Sequence, residues 1–282
     1  MVGQSRLSSL LVHLALIFGA TVVVAPIWFA FVASSLPGDE LMARTLPLWP
    51  GDRLIDNYAS VLGSGLAEAG MPPLWRMLVN SAIMAIGVAV GKIAISILSA
   101  FAIAYFRFRF RMLAFWLIFA TLMLPIEVRI APTYQVAANF GLLNTQAGLI
   151  LPLIASATAT FLFRQVFMTI PDELTDAARM DGAGPMQFFV QILAPLSRTN
   201  VAALFVILFV YGWNQYLWPL LVITEPDRTT IVAGIQRMAQ VTDSAPIWNY
   251  AMAAAMLALA PPALVIVAMQ RLFVRGLIES EK

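Results

Sequence analysis

A chain of 282 residues that is 61% hydrophobic and only 11% charged, with a mean hydropathy of +0.84, lacks the polar surface to face water on all sides, because soluble domains carry about a quarter charged residues. This excludes an ordinary cytosolic enzyme, a disordered tail and a nucleic-acid binder. Having no cysteine and a single histidine, the chain also has no means to form disulfides, thiolate metal sites, cysteine nucleophiles or histidine-rich metal centres. The formal net charge of +2 is too small to inform, but its distribution matters in what the composition implies is a membrane protein.

A spanning helix needs roughly 20 mostly apolar residues. Six stretches qualify: 10–33, 77–105, 112–130, 147–170, 201–223 and 248–269. The first follows Arg6 near the N-terminus. It is too long for the apolar core of a signal peptide and no small-x-small cleavage site follows it, so it reads as a retained span. His13, near its start, reads as an interfacial or packing residue. Segment 34–74 is long and punctuated by Pro and Gly, with Asp39, Glu40, Asp52, Asp56 and Glu68.

Lys92 lies near the middle of the second stretch, where a charge costs about 2.5–3.5 kcal/mol on insertion scales and so asks for a reason. Gly87-x3-Gly91-Lys92 is one residue short of a phosphate-loop spacing and follows no strand; the two glycines suit close helix packing instead. Lys92 is then either bound to carbonyls, a carboxylate or cavity water, or a cation facing the path of an anionic substrate. The cluster Arg107-Phe108-Arg109-Phe110-Arg111 comes next. With Arg6, Arg164, Arg179, Arg198, Arg271, Arg275 and Lys282 it outweighs Arg44, Arg53, Arg76, Arg129, Arg228 and Arg237 on the other side, which places both termini in the cytoplasm.

Glu127 and Arg129 close the third stretch between Pro125 and Pro132, a pattern that predicts a broken helix end of the kind that exposes backbone to a cavity. Arg129 is either an interfacial arginine reaching water or another span, or a planar fork for a phosphate. Arg164 lies near the cytoplasmic end of the fourth stretch and reads as an anchor for the following loop, 171–200. There, Thr169 and Asp172 have capping-box spacing, and acidic residues fill the first turn of a helix that should stop at Asp181-Gly182. Gly184-Pro185 restarts a short second helix that Pro195 ends. The result is a helix–turn–helix with Ala177 and Ala178 exposed for close contact. In the fifth stretch, Trp213-Asn214-Gln215-Tyr216 puts polar edges into an apolar run, either for packing between subunits or to line a pathway through Asn214 and Gln215. A shorter outer segment, 225–247, precedes the last span.

The loop resembles the EAA loop of ABC importer permeases, whose pattern is Glu-Ala-Ala, three residues, Gly, nine residues, Ile-x-Leu-Pro. Here Asp176, Ala177, Ala178, Gly182, Ile192 and Pro195 keep the spacing; Asp176 replaces Glu and Ala194 replaces Leu, and Asp keeps the charge on a shorter arm. Pro171-Asp-Glu-Leu, Trp213-Asn214 and Gln270-Arg271-x3-Arg275-Gly276-Leu277 are similar to the maltose-type, carbohydrate-uptake branch. Within it, the runs 122–129, 155–164 and 211–219 are similar to the second permeases of sn-glycerol-3-phosphate importers.

The resemblance implies an all-α polytopic protein with the type I ABC importer permease fold, six spans and one transmembrane domain over 1–282, in a bacterial inner membrane. It implies half of a heterodimeric pore beside a second, homologous permease, with two copies of an ATP-binding subunit that use ATP and Mg, and a periplasmic substrate-binding protein docking on loops that include 34–74. The loop 171–200 would carry the coupling helix that sits in a cleft of the ATPase. The chain itself would bind no cofactor and perform no chemistry, for it has no phosphate loop, no HExxH and no triad. The same machinery importing another sugar or polyol, or an ion-coupled secondary transporter using Glu127, are the alternatives.

Overall fold

Hydrocarbon offers no partners to backbone N–H and C=O groups, so a chain this apolar must satisfy them within each segment. The computed structural model describes residues 6–43, 47–63, 70–121, 126–240 and 247–279, and among these there is no strand. In chain order the helices are α1 (Arg6–Ser34), α2 (Gly38–Ala43), α3 (Leu54–Leu62), α4 (Leu74–Tyr105), α5 (Arg111–Ala120), α6 (Ile126–Asn139), α7 (Gln146–Ile150) and α8 (Ala157–Met168). They continue with α9 (Asp172–Met180), α10 (Pro185–Phe188), α11 (Ala194–Leu196), α12 (Arg198–Trp213), α13 (Leu217–Val222), α14 (Ile231–Ala239) and α15 (Trp248–Glu279).

Among the described residues, three uninterrupted helices are long and apolar enough to cross a membrane: Ser9–Ser34, Leu74–Tyr105 and Trp248–Gln270. Two more candidates are bent pairs. Gln146–Leu153 meets Ala157–Met168 at 51°, and Pro185–Leu196 meets Arg198–Trp213 at 72°. The stretch 112–130 is divided between α5, a helix of 10 residues, and α6, with 122–125 outside the described residues. The side chain of Glu127 lies outside them as well. Pro132 was expected to lie beyond a helix end, but it sits inside α6. The Thr133 hydroxyl donates to the Arg129 carbonyl at 2.7 Å, in the turn that the missing proline N–H weakens, as hydroxyls do in membrane helices.

The chain clusters into two compact units, Met1–Trp75 with Gly234–Ala260 and Arg76–Ala233 with Pro261–Lys282. In the first, the long segment after α1 folds back on itself. The buried Asn57 side chain donates to the carbonyls of Ser34 and Leu36 at 2.8 and 3.0 Å and accepts from the Asn249 amide at 3.3 Å. Trp28 donates to the Leu48 carbonyl at 3.0 Å.

In the second unit, Met84, Val88, Ala137, Leu149, Trp218, Val222 and Ile223 form one buried core cluster. Its rim is polar. Asn144, held at φ 56°, accepts from the backbone N–H groups of Thr224 and Glu225 at 2.7 and 3.1 Å. Asn80 donates to the carbonyls of Asp227 and Thr229 at 2.9 and 3.1 Å, and Arg76 pairs with Asp227 at 2.5 Å.

Candidate functional site

Small residues on α4 decide where its charge ends up. A Cβ at Gly87 would stand 2.6 Å from Ile150 Cδ1, and one at Gly91 would stand 2.5 Å from Ile154 Cγ2. The absence of side chains is therefore what lets the α7 segment approach. On α12, a Cβ at Gly212 would lie 3.0 Å from the Ala85 Cα. Two neighbours are drawn onto α4 in this way, and Lys92, next after Gly91, is left only 7% exposed.

The Lys92 ammonium sits 3.8 Å from the centroid of the Tyr211 ring. A desolvated cation–π contact is worth about 2 kcal/mol or more, which offsets much of the cost of placing a charge there. Lys92 forms no ion pair among the described residues. It faces a cavity of about 140 Å³, whose polar wall is Lys92, Arg129, Thr133, Tyr211 and Gln215 and whose apolar wall includes Ile130, Leu153 and Trp218. That volume admits several waters. Among the described residues, two cations and no carboxylate line it, so the arrangement favours a small anion that can accept from a point charge and a planar fork at once.

Of the four pathway residues expected from sequence, the cavity gathers Lys92, Arg129 and Gln215, whose amide donates to the Tyr211 carbonyl at 3.3 Å. Asn214 is not among its walls: it is exposed and caps the C-terminus of α12. The polar run at 213–216 marks the break between α12 and α13, where backbone turns away from helical bonding. Sequence reasoning missed Tyr211 and Thr133. The available signal was spacing, since Tyr211 and Gln215 are four residues apart, the interval that puts side chains on one face of a helix, although Gln215 falls just past the end of α12. Trp218 braces the wall by donating to the Gly148 carbonyl at 3.1 Å.

The loop 171–200 is built from local rules. Helix α9 has Asp172 and Glu173 in its first turn and Arg179 in its last, matching the helix dipole at both ends. It closes in a Schellman turn: Ala183 N–H donates to the Ala178 carbonyl at 2.9 Å and Gly182 N–H to that of Arg179 at 3.1 Å. Gly182 has φ 76° with open space around its Cα, so glycine is needed for conformation alone.

Four expectations about this part of the chain are corrected. The capping box is not made: Pro171 is the N-cap, Thr169 donates to the Val166 carbonyl, and the residue before a proline is driven out of helical conformation. Only Ala177 of the alanine pair is exposed, for Ala178 is buried. Pro195 does not end the second helix. A π turn over Phe189–Leu193 widens the coil before it, α11 passes through it, and the bend falls at Ser197, whose hydroxyl donates to the Leu193 carbonyl at 2.8 Å. Arg164 lies with its guanidinium 4.5 Å over Phe115 of α5, a cation–π seat rather than an anchor for the loop. Ile192 is half-buried and Pro195 exposed. Asp176 pairs with Arg179 at 3.4 Å, both largely exposed.

A family model described as binding-protein-dependent transport system inner membrane component matches residues 92–279. The sn-glycerol-3-phosphate transport system permease protein UgpE of Rhizobium meliloti (strain 1021) is 55% identical over 282 residues, all of both chains. Its counterpart in Agrobacterium fabrum is 53% identical over the same span. That of Escherichia coli O1:K1 is 55% identical over 270 residues, 96% of each chain. Among solved structures, a bacterial ABC transporter involved in the import of the acidic polysaccharide alginate superposes with a TM-score of 0.81 at 20% identity, over 96% of this chain and 99% of that one. The type I permease fold follows from that superposition.

Proposed function

Because this chain belongs to the family of binding-protein-dependent transport system inner membrane components, we propose that it is a permease subunit of an ATP-driven importer of sn-glycerol 3-phosphate, forming half of a heterodimeric pore. It is a multi-pass membrane transport component and not an enzyme. A permease of this kind works with a second permease, ATP-hydrolysing subunits and a substrate-binding protein. In the assembly proposed here, two ATPase copies sit on the cytoplasmic side of a bacterial inner membrane, and the binding protein docks on outer loops that include 34–74.

The observation that carries the substrate is the cavity beside α4, where Lys92 and Arg129 face the same space and no carboxylate is in its wall among the described residues. A neutral sugar has no use for two cations in an apolar bundle, whereas a phosphate monoester accepts from both. Full-length relatives bearing the sn-glycerol-3-phosphate name support the same substrate.

The link between ATP and the cavity runs through α12. Residues 176–182 form the lever that the ATPase moves, and α10 and α11 lead from it into α12. That helix has 16 residues, a rod about 24 Å long, and it carries Tyr211 near its far end, with Gln215 just beyond. Motion at the loop is therefore delivered to the residues that cover Lys92. A lysine held by the face of an aromatic ring is released when the ring moves, which exchanges a cation–π contact for a phosphate contact.

The test is ATPase activity of the complete complex in lipid with its binding protein, comparing glycerol 3-phosphate with maltose. Stimulation by the phosphate alone is the expected result. Stimulation by the neutral sugar would keep the permease and discard the substrate, and uptake driven by an ion gradient without ATPase subunits would overturn the importer.

A further inference from the structure

A second cavity, of about 310 Å³, lies where the end of α4 meets α9 and α10. Phe101, Tyr105 and Phe188 form its aromatic wall, Ala178 lies against it, and Arg107 and Arg179 line it with two cations. The Tyr105 and Phe188 ring centroids are 5.3 Å apart and the rings inclined at 64°, so the wall is a packed surface. This cavity lies beside the lever 176–182 and shares no lining residue with the cavity around Lys92.

Three observations bear on what fills it. Arg107 forms no ion pair among the described residues. Among the described residues Arg179 pairs only with Asp176, at 3.4 Å and with both side chains about 70% exposed, an interaction that water and salt reduce to little. Arg107 also opens the run in which arginine alternates with phenylalanine, and Phe106, Phe108 and Phe110 are all exposed. Exposed aromatic rings interleaved with arginines, at the end of a helix long enough to span, are the chemistry of the membrane interface. A freely dissolved phosphate would be met by the two guanidinium groups but would make no use of the aromatic wall or of the exposed rings. A phospholipid uses all three, with its phosphate on the arginines and its glycerol and upper chain on the rings.

We propose that this cavity binds the headgroup phosphate of an anionic phospholipid of the cytoplasmic leaflet, and that Arg107 and Arg179 share it. Because Arg179 belongs to α9, the lipid fastens the coupling helix to the membrane surface. The inference rests on the function proposed above, which puts α9 on the ATPase side.

The experiment reconstitutes the complete complex into vesicles of phosphatidylcholine alone or with a minority of phosphatidylglycerol, and follows ATP-driven uptake together with lipid retained by the purified complex in native mass spectrometry. Phosphatidylglycerol raises uptake and is retained by the wild type. Arg107→Gln lowers the response to phosphatidylglycerol by about fivefold, the value of one interfacial arginine, and loses the retained lipid, while Arg107→Lys keeps most of both. Equal uptake in the two lipids overturns the proposal. So does a fall in Arg107→Gln that is equal in both lipids, which would assign the cavity to a side chain of the ATPase. Stimulation of phosphatidylcholine vesicles by inorganic phosphate in place of the lipid would assign it to a free anion. An absence of ATP-driven uptake in every lipid would refute the importer, and retained lipid in the mass spectrum would still decide this site.

Discussion

The loop 171–200 and the cavity around Lys92 occupy the same unit of the chain, yet they are specified in different ways. The loop is a chain of local decisions. Acidic residues open α9, a glycine at φ 76° closes it, and Pro185 begins the next helix. Each decision is made by residues within a few positions of one another. The cavity is assembled from α4, α6, the Pro152–Ala155 region, α12 and α13, and what brings these together is the absence of side chains at Gly87, Gly91 and Gly212. Glycine serves both regions for opposite reasons: in the loop it supplies a backbone conformation in open space, and in the bundle it supplies space to an ordinary helix.

That contrast can be broken at the loop first. Gly182→Val places a β-branched residue at positive φ, a strain of about 1–3 kcal/mol concentrated in one turn. The Schellman turn should open and residues 176–182 lose their register. ATP-driven uptake is expected to fall to background while the protein still inserts and assembles; wild-type uptake and ATPase stimulation in this variant would remove the lever from the mechanism. The next effect is at the cavity. If Lys92 meets the substrate phosphate as proposed, Lys92→Met deletes a charge-assisted hydrogen bond worth about 1.5–3 kcal/mol, so uptake of glycerol 3-phosphate at low concentration should drop about tenfold to a hundredfold. Arg129→Gln, at an exposed position on the cavity rim, should cost less than Lys92→Met. Unchanged uptake in both variants would return the two cations to a structural role.

The difference between the regions also explains what could be read in advance. The start and stop of α9 and the restart at Pro185 were legible because caps, prolines and glycines act on their neighbours. The capping box failed on the same kind of rule, since Pro171 restricts Ile170 and the helix begins after both. The bends were not legible. An apolar run such as 147–170 carries only Pro152 and the N-cap Ser156 as signs that it breaks, and its break at 154–156 is held by a distant partner, the Ser96 hydroxyl donating to the Ser156 carbonyl at 3.1 Å. Lys92 and Arg129 were visible as costly charges, but their meeting was not. Tyr211 drew no reading of its own, because its place beside Lys92 depends on Gly212 bringing its turn against α4. The burial of Ala178 was hidden for a similar reason, because it depends on the aromatic rings at the end of α4.

A stability measurement sharpens the contrast between the two kinds of glycine. Gly91→Ala forces a Cβ to within 2.5 Å of Ile154 Cγ2, an overlap of about 1–3 kcal/mol. Alanine regains about 1 kcal/mol in a helix interior, which leaves a loss of up to about 2 kcal/mol because the branched Ile154, with its Cβ also at 3.0 Å, has little room to yield, and the purified protein should unfold at a lower temperature. An unchanged or raised midpoint would show that Ile154 yields freely and that the close approach is not what seats Lys92.

The smallest effect is expected at Asp176, the position where this chain carries aspartate in its Asp-Ala-Ala motif. Its partner Arg179 is three residues on, at 3.4 Å, and both side chains are about 70% exposed. An exposed pair of this spacing is worth between nothing and about 1 kcal/mol, and Asp176 lies past the first turn of α9, where the dipole gives it little. Asp176→Asn should therefore leave the unfolding midpoint of the purified protein almost unmoved. If it instead lowered the midpoint as far as Gly91→Ala does, the loop would owe its shape to charge as well as to its turn residues, and the separation between a locally specified loop and a packed cavity would have to be redrawn around Arg179.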